Sequence, residues 1–138
     1  MDKNTITVET IVKAPISKVW DCWNKPEHIV RWAFASDDWE APAAENDVRV
    51  GEKFKTTMAA KDKSESFDFT GTYTAVNEHE LIEYDMDDGR HVKVEFNELP
   101  EGVKITQTFD PENENSEEMQ RSGWQAILDN FKNYVEGV

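Results

Sequence analysis

Thr56, Tyr73, Tyr84 and Gln107 place polar groups where the pattern of this chain otherwise sets apolar ones. Each lies in phase with Phe, Val, Ile or Met on one face of an alternating segment. Gly71 shares such a face and brings no side chain at all. A buried polar group without a partner costs about 1–3 kcal/mol. These groups must therefore pair with one another, meet ordered water, or line a wet hollow. A mostly apolar hollow with a few fixed polar groups is the usual construction of a small-molecule site. A glycine in mid-strand weakens that strand, and it marks a bulge, a bend or the close approach of something bulky.

Catalytic alternatives find less support. His28 falls in a short helical stretch, His79 in a turn, and His91 on the solvent side of its segment by parity. No two of them have metal-ligand spacing, so neither a metal nor another cofactor is expected. Cys22 stands between Asp21 and Trp23 with no cation beside it to favour the thiolate, so it reads as an inert helix residue. There is no phosphate-binding glycine loop and no Gly-x-Ser-x-Gly elbow. No carboxylate lies on an inward strand face by parity, so a general acid has no candidate there. Arg31, beside Trp32 at the expected mouth, is the first choice for anion binding, and Arg49 the second. No catalytic residue is assigned. Enzymatic activity stays open, with a non-enzymatic role preferred.

The 138 residues suffice for one domain, 1–138, with a real core. Hydrophobic content of 38% beside 32% charged residues reads as soluble and globular. A formal net charge of −14 repels phosphate backbones and anionic lipid, which disfavours nucleic-acid and membrane-surface roles. No apolar stretch approaches the ~20 residues of a membrane-spanning helix. Asp85, Asp87 and Asp88 crowd one turn, and Glu112, Glu114, Glu117 and Glu118 another. Such clusters serve solubility or meet a basic protein partner. The polar start, Met1 to Thr5, gives no signal-peptide pattern, and the lone Cys22 excludes an internal disulfide, so a cytoplasmic location is expected.

The elements follow from periodicity. Thr5 to Val12 alternates as a strand with Ile6, Val8 and Val12 inward. Ala14-Pro15 ends it and opens a helix whose stripe is Ile16, Val19, Trp20 and Trp23. Pro26 starts a second short helix through Glu27, Ile29, Val30 and Trp32. Residues 33–50 are irregular and hold one strand. Gly51 is a turn, and Glu52 to Ala60 alternates with Phe54, Thr56 and Met58 inward. After a charged hairpin tip, Ser66 to Val76 sets Phe67, Phe69, Gly71, Tyr73 and Ala75 on one face. Leu81 to Met86 has Ile82, Tyr84 and Met86 inward. Asp87-Asp88-Gly89 is a hairpin turn. His91 to Asn97 turns Val92, Val94 and Phe96 inward, and Val103, Ile105, Gln107 and Phe109 complete the last strand. From the expected N-cap Ser116, one helix carries Trp124, Ile127, Leu128, Phe131, Tyr134 and Val135 at helical spacing. Gly123 within it suggests that the helix comes close to the sheet there, because glycine costs ~1 kcal/mol against alanine in a helix.

In this order the chain resembles the START-like (SRPBCC) superfamily, and within it the bacterial family related to the C-terminal domain of the activator of the heat-shock-protein-90 ATPase. The carrying residues are Ala14-Pro15 with Val19-Trp20 and Trp23, then Lys25-Pro26-Glu27-His28 leading to Trp32. Val50-Gly51-Glu52-Lys53-Phe54, Phe69-Thr70-Gly71-Thr72-Tyr73, Val94-Glu95-Phe96 and Gly123-Trp124 follow. Two departures stand out. Glu52 replaces the second glycine of the family's pair, and Ala33-Phe34 stands where the family has a proline. The resemblance implies an α+β helix-grip fold. A curved antiparallel sheet wraps around a long C-terminal helix, with two short helices after the first strand. The N-terminal domain of co-chaperones of this type is not expected in this chain.

Relatives in the superfamily bind lipids, sterols, polyketides or plant hormones, and some catalyse cyclisation. The leading expectation is therefore a protein that holds a hydrophobic small molecule between sheet and last helix. Its candidate walls are Trp32, Phe34, Phe54, Met58, Phe69, Tyr73, Tyr84, Phe96, Gln107, Trp124 and Leu128. The alternatives are a protein-interaction or chaperone-regulating module of the stress response, and a cyclase- or hydratase-like enzyme. Either a monomer or a homodimer is compatible with the sequence.

Overall fold

The computed structural model describes residues 5–112 and 115–137. Residues 1–4 of the polar start and Glu114 of the acidic stretch lie outside them. The elements are β1 (Ile6–Val12), α1 (Ile16–Asn24), α2 (Pro26–Ile29), β2 (Trp39–Asn46), β3 (Lys53–Ala60), β4 (Ser66–Asn77), β5 (Leu81–Met86), β6 (His91–Leu99), β7 (Gly102–Phe109) and α3 (Glu117–Gly137). Short turns join β2 to β7 into an antiparallel meander, and β1 adds to β7, giving the order β1-β7-β6-β5-β4-β3-β2. The sheet curls into a half-barrel, with α3 laid across its concave face. No helix among the described residues is long and apolar enough to cross a membrane.

Local chemistry sets the boundaries. Pro15, at φ −65° and ψ 149°, is the extended residue before α1. Lys25 donates its N–H to Asp21 O at 2.9 Å and ends α1, and Pro26 then occupies the first position of α2. Gly51 turns the chain at φ +89°, and Glu52 beside it keeps a negative φ. Both exchange backbone bonds with Tyr73 (2.9 and 3.0 Å). One left-handed residue is enough for this turn, so Glu52 stands beside Gly51 without strain. Ser116 caps α3, its Oγ accepting the Met119 N–H at 3.1 Å, with Glu117 and Glu118 at the positive end of the helix dipole.

Parity fails once on the inner face. Tyr73 pairs with Tyr84 but Ala75 pairs with Glu83, so Thr74 is an extra residue. This bulge turns Ala75 outward, and Val76, opposite Ile82, packs against the core in its place. β2 is also bulged between Glu40 and Ala43, around Pro42, which cannot donate to a ladder.

The core has two parts. Under the β1 end of the sheet, Ile6, Val8, Val12, Val103, Ile105 and Phe109 are buried, together with Leu128, Phe131 and Val135 of α3. At the end closed by α1 and α2, Trp23 and Trp32 meet the Phe131 ring edge-on at 4.9 and 4.8 Å, and Trp20 meets Phe96 at 5.2 Å. α3 also covers the outer edge of β1. Gln125 Nε2 donates to Glu9 O at 3.1 Å, and Lys132 Nζ donates to Ile11 O at 2.9 Å.

His91 faces away from the core, as parity requires. Its ring bridges Glu83 (2.9 Å) and Asp85 (2.6 Å). The Glu83 hydrogen bond, with help from Asp85, raises the His91 pKa above its ordinary value of 6.5. A raised native pKa gives stability that is complete below the unfolded value and lost as pH rises through the native one. The His91 side chain is 41% exposed, so solvent screening keeps the effect to at most about 1 kcal/mol. Urea titrations at roughly pH 6 and pH 8 should show the wild type losing more stability than His91→Gln over that interval. Equal losses would deny the bridge a role.

Candidate functional site

Between the concave face and α3 lies a cavity of about 370 Å³. Small-molecule pockets commonly measure ~300–1,000 Å³. β3 supplies Phe54, Thr56 and Met58, and β4 supplies Phe67, Phe69 and Tyr73. Ile82, Tyr84 and Met86 of β5 and Gln107 of β7 continue the wall. α3 closes it with Gln120, Gly123, Trp124, Ile127 and Leu128, and Trp23, Ile29, Trp32 and Ala33 form its inner end. Phe67 is 50% exposed, so it stands at the rim.

The aromatic walls meet edge to face or at a tilt. Phe54 lies 4.8 Å from Tyr84 and 5.4 Å from Tyr73, and Phe69 meets Trp124 at 6.0 Å. Trp124 is stacked on Phe109, with centroids 3.8 Å apart and planes 11° apart. Gly71 makes room for Phe54. A Cβ there would come within 2.7 Å of the Phe54 ring and 2.9 Å of Asp85 O. Of the meanings open to this glycine, close approach is the one realised, and the bulge falls three residues on.

One of the polar groups is plainly paired. Tyr73 donates its hydroxyl to Asn46 Oδ1, and Asn46 Nδ2 donates to Asn24 O at 2.7 Å. Thr56, Tyr84 and Gln107 border the same cavity. Burial pushes both tyrosine pKa values well above the ordinary phenol range, so both hydroxyls keep their protons at physiological pH. The interior thus offers neutral hydroxyls and amides amid rings. At the opposite end Gln120 fastens the loop before α3. Its Oε1 accepts the Glu112 N–H at 2.8 Å and its Nε2 donates to Asn115 O at 2.9 Å. Among the described residues, the charged ones bordering the cavity are Arg90 and Glu112.

Trp32, Phe54, Met58, Phe69, Tyr73, Tyr84, Gln107, Trp124 and Leu128 come together around this space, and two expected wall residues do not. Phe34 packs against the core outside the cavity, because a tight turn (Phe34 N to Trp32 O, 2.7 Å) redirects the chain after Trp32. Phe96 is 3% exposed and packs against Trp20 and Trp23, and Trp23 takes the place at the wall. Arg31 is exposed in the turn after α2, and Arg49 is exposed and paired with Asp47. Neither borders the cavity, and Arg90 does. The expected close approach at Gly123 is also absent. Its missing Cβ would have no neighbour within 4 Å, because this residue faces the cavity rather than the sheet.

Asn46, Arg90, Glu112, Asn115 and Gln120 are site residues that sequence reasoning missed. Gln120 carried a signal, standing four residues before Trp124 on the same helical stripe. The others lie on an irregular strand or in loops, where period-two parity says nothing.

The remaining reactive side chains lie elsewhere. Cys22 is buried, and burial raises its pKa, so the unreactive thiol is favoured. His28 Nδ1 meets the Tyr134 hydroxyl at 2.6 Å between α2 and α3. Among the described residues no three His, Cys, Asp or Glu side chains are placed to hold a metal ion.

A curled antiparallel sheet gripping a long helix over an internal cavity defines a helix-grip protein of the START-like class. Residues 13–136 match the family model described as "Activator of Hsp90 ATPase homolog 1-like protein", and the chain belongs to that family. It is similar to an AHSA1-like protein of Aeromonas hydrophila, with 45% identity over 97% of this chain and 93% of that one, at a TM-score of 0.92. A protein of Cytophaga hutchinsonii is 52% identical over 96% of this chain and 92% of its own, at a TM-score of 0.84. One from Chromobacterium violaceum, at 23% identity, 96% and 98% coverage and a TM-score of 0.86, shares the fold. No curated protein matches the chain.

Proposed function

We propose that this protein, read as one domain over residues 1–138, binds an apolar small molecule in the cavity between the sheet and α3. The observation that carries this reading is an aromatic-walled space left open between the sheet and α3, with the Tyr73 hydroxyl beside it already paired with Asn46. A packed core leaves few voids larger than a water molecule. The cysteine and histidines lie away from the wall, which supports binding over chemistry.

Trp23, Trp32 and Trp124 border the cavity and make it spectroscopically visible. Titration with a hydrophobic fluorescent probe such as anilinonaphthalene sulfonate should shift tryptophan emission in the native protein. Gly123→Leu places a side chain in the open space and should abolish the shift. Gly123→Ala should stabilise α3 by up to ~1 kcal/mol, because the new methyl meets no neighbour. A shift unchanged in Gly123→Leu, or none in the wild type, refutes occupancy of this cavity.

Family membership supports a second reading, a protein partner of the Hsp90 kind. A change in the ATPase rate of a purified Hsp90-type chaperone on adding this protein would support it, and an unchanged rate would count against it.

A further inference from the structure

The charged residues at the cavity edge bear on the chemistry of what enters it, and the inference drawn from them rests on the binding reading above. Arg90 stands just before β6, at the end of a turn closed by Gly89, at φ +94°, and by the Met86 N–H donating to Arg90 O at 2.7 Å. Asp88 orients the arginine. Its Oδ1 accepts the Arg90 backbone N–H at 3.1 Å and its Oδ2 accepts Nε–H at 2.8 Å. Among the described residues neither terminal guanidinium nitrogen makes a hydrogen bond, and Asp88 is the ion-pair partner of the group as a whole. The side chain is only 21% exposed and borders the same cavity as Tyr84. A planar cation whose outer edge makes no hydrogen bond, set at the border of a largely apolar wall, is an arrangement that recognises a carboxylate.

We infer that the cavity takes an amphipathic carboxylate, with a ring-bearing apolar body among Phe54, Phe69 and Trp124 and an anionic head on Arg90. Glu112 carries the opposing charge at the same edge. Its Oε1 already accepts from Asn115 Nδ2, and Gln120 ties its backbone on both sides, so it is fastened to its own loop. The net charge of −14 opposes an anion at long range, but screening within ~8 Å at physiological salt leaves the nearest cation to decide.

The test uses three probes with one apolar body: naphthylacetate, naphthylethanol and naphthylethylamine, titrated by calorimetry into the full chain. The carboxylate should bind about tenfold or more tighter than the alcohol, the effect of one charge-assisted pair. Arg90→Gln should erase that preference, and Arg90→Lys should keep part of it. Equal binding of all three, or preference for the amine, overturns the head-group inference and leaves the binding reading standing. Failure of all three to bind overturns both. The wild-type comparison decides the matter even if Arg90→Gln folds poorly.

Discussion

Phe131→Ala should lose about 3–5 kcal/mol of stability, the usual cost of deleting a fully buried aromatic ring. Phe131 is wholly buried, and its ring receives the edges of Trp23 and Trp32 at 4.9 and 4.8 Å. It joins α1 and the segment after α2 to α3, so its loss opens a void where three parts of the chain meet. Domains of this kind commonly have ~5–15 kcal/mol in total, so much of the fold's margin would go. The midpoint of a urea transition measures it. A change below about 1 kcal/mol would mean that the neighbours collapse into the void, contrary to the packing described.

Gly102→Ala should be comparably damaging for a different reason. Gly102 sits at φ +150°, and a Cβ there would stand 2.3 Å from Val12 O and 3.0 Å from Val12 C. Both obstacles are backbone, so no rotamer change relieves them. Accommodation requires β1 to separate from β7 at its Val12–Val103 end. The cost should be at least about 2–3 kcal/mol, with amide exchange accelerated first in β1. A variant with native exchange in β1 would show that the strand pair yields freely. Gly123 is the counter-case, since the space around it is empty. The sign of a glycine substitution in this protein follows from what faces the missing Cβ.

That contrast also marks the limit of sequence reading. Periodicity gave the strands, the N-cap Ser116 and the apolar faces, because burial on one side of a sheet imposes period two. It put Tyr84 and Gln107 on the same side of the sheet, where both border the cavity. It failed at Ala75, where the Thr74 bulge reverses parity without any sequence cue. It failed at Phe34, where a turn rather than a strand decides direction. Gly123 was read as a contact and is a gap. A sequence reports that a small residue is present, and not whether the neighbouring space is filled. Arg90 and Glu112 were missed because loop side chains obey no period.

The pairing of β1 with β7 has a consequence for synthesis. As the chain leaves the ribosome, β1 emerges long before its hydrogen-bonding partner, with Ile6 waiting for Phe109. The strands from β2 onward can zip one after another as neighbours, but β1 must stay unpaired until β7 is out. Contacts this distant along the chain are slow to form, so docking of the first strand is the expected late step of folding. Until then its Ile6, Val8 and Val12 face is the surface that a nascent-chain chaperone would need to shield.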